Sequence, residues 1–146
     1  MPCKIDFPCS GNIVEVRLSG EISSRTIEDM HAELFYGTRW RTGMNLLVIV
    51  EEGSDPSGMS LKKLRQAFRN EVERLHALRG PDYKVAWVAE DTRIEPVLRD
   101  WQSMPFVDGA YDLEIFRDRE SARKWLKSFE ADWPDFLRPL QSQRRL

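Results

Sequence analysis

Two short runs without a single polar residue, LLVIV at Leu46–Val50 and VAWVA at Val85–Ala89, constrain this chain more than any other feature. Both are too short for a buried helix and rich in β-branched residues, so they read as strands. A strand with no polar alternation is one covered on both faces. The second run extends back to Tyr83. Between the two lies a stretch in which apolar residues recur at helical spacing, and strands that alternate with helices pair in parallel through right-handed crossovers. The chain is therefore expected to be a layered α/β domain with these two strands in the middle of its sheet. Its 146 residues suffice for one domain to bury a core without staples.

Ahead of the first run, Lys4–Phe7 and Asn12–Leu18 are strand candidates, the latter alternating Val14, Val16 and Leu18 with Glu15 and Arg17. The pair is expected to form a hairpin across Cys9–Asn12 near a sheet edge. Thr26 with Asp29 offers a capping box for a helix whose Ile27, Met30, Leu34 and Phe35 share one face and which fades near Gly37–Gly43. The segment EEGSDPSGMS is crowded with turn residues, and Asp55–Gly58 reads as a plain turn. Ser60 then caps one long helix carrying Leu61, Leu64, Phe68, Val72 and Leu75, stopped by Gly80 and Pro81. Asp91 or Thr92 caps a helix with Ile94, Val97, Leu98 and Trp101; Pro96 is tolerated in its first turn, and Met104-Pro105 ends it. Tyr111–Phe116 is a last strand, and Asp118 caps a helix with Ala122, Trp125, Leu126 and Phe129 inward. The order ββαβαβαβα implies a mostly parallel mixed sheet of about five strands with about four helices. Residues 1–130 form this domain, and residues 131–146 form an apolar tail with Trp133 and Phe136.

Three stretches carry a resemblance. RLSGEISS at Arg17–Ser24, the strand LLVIV, and DPSGMSLKKL at Asp55–Leu64 are similar to the turn, central strand and second-helix entry of STAS domains. The strand VAWV and a helix ending in Pro105-Phe106 make the chain resemble most the SpoIIAA-like subgroup, related in fold to CRAL-TRIO (Sec14-like) lipid carriers. The resemblance covers roughly residues 3–129 and describes fold more than chemistry. It implies the SpoIIAA-like (STAS) α/β fold and a binding or regulatory module. It also sets Ser57 at the position of the serine that such proteins offer to a partner kinase. A phosphate there would bring about −1.5 to −2 charge close to a helix N-terminus. Asp55, Ser57, Gly58, Met59, Ser60 and Lys63 are then the candidate partner-binding surface. The chain departs from the pattern at Pro56, which replaces a small polar residue, and in a short loop between Val50 and Asp55; both weaken a phosphoswitch.

Other chemistries find little support. Acids gather after the strands, with Glu51, Glu52 and Asp55 after one, Glu90 and Asp91 after the next and Asp118 after the last. Ligands of open α/β sheets sit at such strand ends, so an acidic Mg²⁺ pocket, in an enzyme or a receiver-like protein, is a third reading. No lysine follows the last strand, Arg117 being the nearest cation, and helix caps account for the same carboxylates. His31 and His76 lie on separate helices as surface or core-edge residues, with no serine or cysteine paired to them, so no triad is assembled. There is no Gly-rich phosphate loop, and Cys3 and Cys9 form no zinc spacing and read as reduced thiols. No metal, cofactor or catalytic residue is expected. Lys62, Lys63, Arg65, Arg69, Arg74 and Arg79 are interrupted by Glu71 and Glu73 and lack interleaved aromatics, so they read as a solvated helix face rather than a nucleic-acid surface. The net charge of −2 adds no general pull toward nucleic acid.

What remains is binding. Five tryptophans and seven phenylalanines are generous for this length, and some of them, with Met30, Met59 and Met104, are expected to line a cavity between helices and sheet. The chain is thus expected to be a non-enzymatic module acting through protein–protein interaction, or else a carrier or sensor of a hydrophobic small molecule or lipid. Trp101, Met104, Trp133 and Phe136 are candidates for contact with such a molecule or with a second copy, since the tail's apolar side chains need cover and a homodimer supplies it. No apolar run approaches the ~20 residues of a membrane span and no signal-type segment opens the chain, so a cytoplasmic location is expected.

Overall fold

The strand LLVIV sits where its composition places it. In the computed structural model, which describes residues 3–104 and 111–129, every residue of Asn45–Val50 is buried. In chain order the elements are β1 (Cys3–Asp6), β2 (Ile13–Leu18), β3 (Glu21–Ser23), α1 (Ser24–Phe35), β4 (Asn45–Val50), β5 (Asp55–Gly58), α2 (Leu61–Phe68), α3 (Val72–Arg79) and β6 (Lys84–Ala89). A 3-10 turn (Thr92–Ile94), α4 (Glu95–Gln102), β7 (Asp112–Phe116) and α5 (Arg119–Lys127) follow. The main sheet has five strands in the order β1-β2-β4-β6-β7. Among the described residues β1 with β2 is an antiparallel pair and the remaining pairs are parallel, with Val48 opposite both Val16 and Trp87. Both apolar runs are interior and parallel, as their composition requires.

Period-2 alternation divides the side chains between two unequal layers. Val14, Val16, Leu18, Leu46, Val48, Val50, Val85, Trp87 and Ala89 join the inward faces of α1 to α4 in the larger core. Leu47, Ile49, Ala86 and Val88 meet Ala122 and Leu126 of α5 on the other side. Glu15 is half-buried on β2 and takes a hydrogen bond from Arg123 of α5, so polar alternation in β2 serves the helix that covers it.

Several local expectations need correction. The first helix starts earlier than expected: Ser23 is its N-cap, with Thr26 as the reciprocal partner of the capping box. DPSG is no plain turn but β5, which pairs in parallel with β3 in a second, two-stranded sheet. The long helix is two helices. The ladder tightens at the junction, where Glu71 N–H reaches back to the Phe68 carbonyl at 3.0 Å, and the Tyr36 hydroxyl bonds the Glu71 carboxylate. This break re-aims α3 so that Val72, expected in the core, is exposed while Leu75 and Arg79 turn inward. With the break, the described residues hold five α-helices rather than about four. The tail, with Trp133 and Phe136 and the dimer role given to them, lies outside the described residues, as do Pro105 and Phe106.

Candidate functional site

The break between α2 and α3 opens a cavity of about 290 Å³, walled by His31 of α1, Phe68 of α2, Leu75 and Arg79 of α3, Trp101 of α4, and Tyr83 and Tyr111 at the strand starts. Exposed Val72, Glu73 and His76 form its solvent side. Local geometry sets the far wall. Gly80, at φ +87°, caps α3 with its N–H on the His76 carbonyl at 2.9 Å and turns the chain toward Tyr83. Trp40 Nε1 donates to the Leu78 carbonyl at 3.1 Å, tying the end of α3 to the loop after α1.

Arg79 is the unusual member. It is 8 % exposed, and its guanidinium carbon lies 4.7 Å from the ring centre of Phe35, 4.9 Å from Tyr83 and 5.0 Å from Tyr111. Aromatic faces attract a cation, by about 2 kcal/mol where water is excluded, but do not neutralise it. Among the described residues no carboxylate pairs with Arg79, and its buried Nε has no hydrogen-bond partner. A buried charge is ordinarily paired or coordinated.

The neighbours adapt to that cation. His31, read from sequence as surface or core-edge, is buried, its ring 4.6 Å from Phe68 and 5.7 Å from Phe35. Burial, reinforced by the Arg79 charge, pushes its pKa down to about 3 against the pull of its bond to the Ile27 carbonyl. The neutral ring therefore donates from Nδ1 to that carbonyl, at 2.9 Å, and carries its acceptor on Nε2. Burial drives the Tyr83 and Tyr111 hydroxyls above the ordinary phenol range, Arg79 opposing the shift in both and a bond with Trp101 opposing it in Tyr111. At neutral pH the inner wall thus combines one cation, a neutral imidazole, two protonated phenols and apolar rings.

The residues singled out from sequence divide between this cavity and internal structure. Trp101 lines the cavity; Met104 is buried in the same core but does not line it. Asp55 accepts from the Ser57 N–H at 3.0 Å, which holds its carboxyl below the usual range. Ser57 is exposed on β5, ahead of Ser60, the N-cap of α2, whose hydroxyl accepts from Lys63 N–H at 3.3 Å. Ser60 N–H donates to Ser24 Oγ at 2.7 Å, pinning the starts of α1 and α2 together. A side chain on Gly58 would press on Ser23, its Cβ falling 3.2 Å from Ser23 Cβ, and Met59 packs against the larger core. Lys63 is exposed.

At the strand ends Glu51, Glu90 and Asp91 are matched by arginines. Asp91 takes a fork from Arg93, at 3.0 Å from Nε and 2.9 Å from Nη2, and caps the Gly53 N–H at 3.1 Å; the bonds to Arg93 hold its carboxyl well below the usual range. Arg119 bonds Glu90 at 2.7 and 3.1 Å and Glu51 at 3.3 Å, and Asp118 caps α5. Among the described residues no group of three His, Cys, Asp or Glu side chains is placed to hold a metal ion.

Sequence reasoning missed Arg79, Phe68, Leu75, Tyr83 and Tyr111 as members of one site, and it put Arg79 on a solvated basic face. One signal was available. Arg79 follows Leu75 by a helical turn, so it belongs to the apolar stripe of α3 rather than to the exposed set of Lys62, Lys63, Arg65, Arg69 and Arg74.

No family model matches the chain, and no curated protein matches it. Among solved structures it is similar to an uncharacterized protein of the DUF3478 family with a SpoIIAA-like fold from Shewanella loihica PV-4. The two share 13 % identity over 85 % of this chain and 91 % of that one, at a TM-score of 0.45.

Proposed function

We propose that this protein is a non-catalytic binding module that holds a small, largely apolar organic molecule in the cavity behind α3. The observation that supports it is the cavity itself, about 290 Å³ and walled by Phe68, Leu75, Tyr83, Trp101 and Tyr111. Small-molecule sites are concave, mostly apolar and furnished with a few convergent polar groups. This volume stands at the small end of their range of about 300–1,000 Å³, which suits a compact molecule and leaves no room for a two-chain lipid. The set around Ser57 favours interaction less, because Asp55, Gly58, Met59 and Ser60 are engaged in holding β5 and the starts of α1 and α2. Among the described residues no nucleophile, base and oxyanion arrangement comes together at the cavity, and the buried His31 ring stays neutral there.

Native mass spectrometry of the protein purified from its own source tests this. The expected result is a bound small-molecule mass that denaturation releases and that the cavity-filling variant Leu75→Trp, checked for fold by circular dichroism, does not carry. A wild-type mass equal to that of the bare chain, together with indole failing to shift the melting temperature, would refute the proposal.

A further inference from the structure

We infer that the molecule this cavity takes is a small aromatic monocarboxylate, its carboxylate on the guanidinium edge of Arg79 and its ring among Phe68, Leu75 and Trp101. The inference rests on the cavity reading above and adds the charge and shape of the occupant. It starts from the buried Arg79, which lines the cavity and which the described residues leave without a carboxylate partner. Three aromatic rings surround the guanidinium at 4.7 to 5.0 Å. Such rings attract the cation but accept no in-plane hydrogen bond as a carboxylate does, and Nε is sealed from solvent, so the terminal Nη1/Nη2 edge is where an anion is still needed. A planar carboxylate meets that edge with two parallel hydrogen bonds.

Charge fixes the valence. Arg79, with neutral His31 and protonated Tyr83 and Tyr111 beside it, balances one negative charge; a dianionic phosphate would bring a second charge into a wall whose other described lining residues add no cation and include the carboxylate of Glu73 at the mouth. Shape fixes the rest. Phe68 and Trp101 meet edge to face at 6.1 Å, an arrangement that a flat ring extends by the same offset and edge contacts. A volume of about 290 Å³ suits a ring with a short acid arm.

The test is isothermal titration calorimetry at neutral pH with 3-phenylpropionate, its amide 3-phenylpropanamide, and inorganic phosphate. The acid is expected to bind wild-type protein at least tenfold more tightly than the amide, and phosphate is expected not to bind. Arg79→Met keeps length and apolar packing while removing the charge; it should erase the preference for the acid over the amide. Should that variant fail to fold, the acid-to-amide ratio on wild-type protein decides alone. Acid and amide binding equally well would overturn this inference and leave the cavity reading standing. Binding of neither probe at millimolar concentration would overturn both, and phosphate binding as tightly as the acid would reduce the site to a bare anion site and overturn the inference.

Discussion

Acidification should destabilise this protein through His31, and by an amount that the packing sets. The folded pKa is depressed from 6.5 to about 3, first by burial and then by the Arg79 charge. Below 6.5 the unfolded chain therefore takes up a proton that the native state refuses, so the contribution is fully present above that value and is lost as pH falls toward the folded one. Each pH unit inside this window removes about 1.4 kcal/mol per such group. Between neutral pH and about pH 4.5 the loss is about 3 kcal/mol, a large share of the ~5–15 kcal/mol typical of a domain. Carboxylates held low in the fold, such as Glu90 and Asp118, lose stability on acidification too, so wild-type data alone do not isolate the histidine. His31→Phe does. The new ring keeps the contacts with Phe35 and Phe68 and cannot take up a proton, and the carboxylates, remote from it, cancel in the difference. Urea unfolding followed by tryptophan fluorescence at both pH values should show the wild type losing about 3 kcal/mol more than the variant. Parallel losses in the two proteins would mean that His31 titrates in the folded state much as it does in the unfolded chain, and the account of the cavity's inner wall would fall with it.

Two further outcomes check the frame around the cavity. Gly80→Ala should destabilise by about 1–3 kcal/mol in thermal unfolding, because φ is +87° there and a Cβ would fall 2.5 Å from Thr42 Cγ2; an unchanged melting temperature would show that this turn is not a constraint. Ser57→Asp should cost no more than about 1 kcal/mol, since Ser57 is exposed and keeps its N–H bond to Asp55 but loses its hydroxyl bond to that carboxylate and sets a second acid beside it. A cooperative unfolding shift well beyond that would show that β5 tolerates no charge at this position.

Features decided within one helical turn or one strand were legible without a structure. LLVIV and VAWVA announced two-sided burial because strand faces alternate whatever lies on them. Ser60, Asp91 and Asp118 announced turn and helix starts because a cap bonds an N–H only two or three residues on. Pro96 fitted a first turn for the same local reason. The LSGEIS and DPSG stretches announced a fold type without showing that DPSG would be a strand, since its partner β3 is remote in sequence. The cavity was decided by tertiary structure alone. Composition ranks Arg79 with the solvated cations, and the spacing of Val72 continues the stripe of α2. Only the break after Phe68, braced by Tyr36 on Glu71, turns Val72 out and carries Arg79 under the rings of Phe35, Tyr83 and Tyr111. Those rings come from α1 and from the starts of two strands, and a chain meets them together only once the sheet has paired. A residue's charge is written in its side chain, but whether that charge is solvated or buried depends on neighbours that folding alone brings within reach.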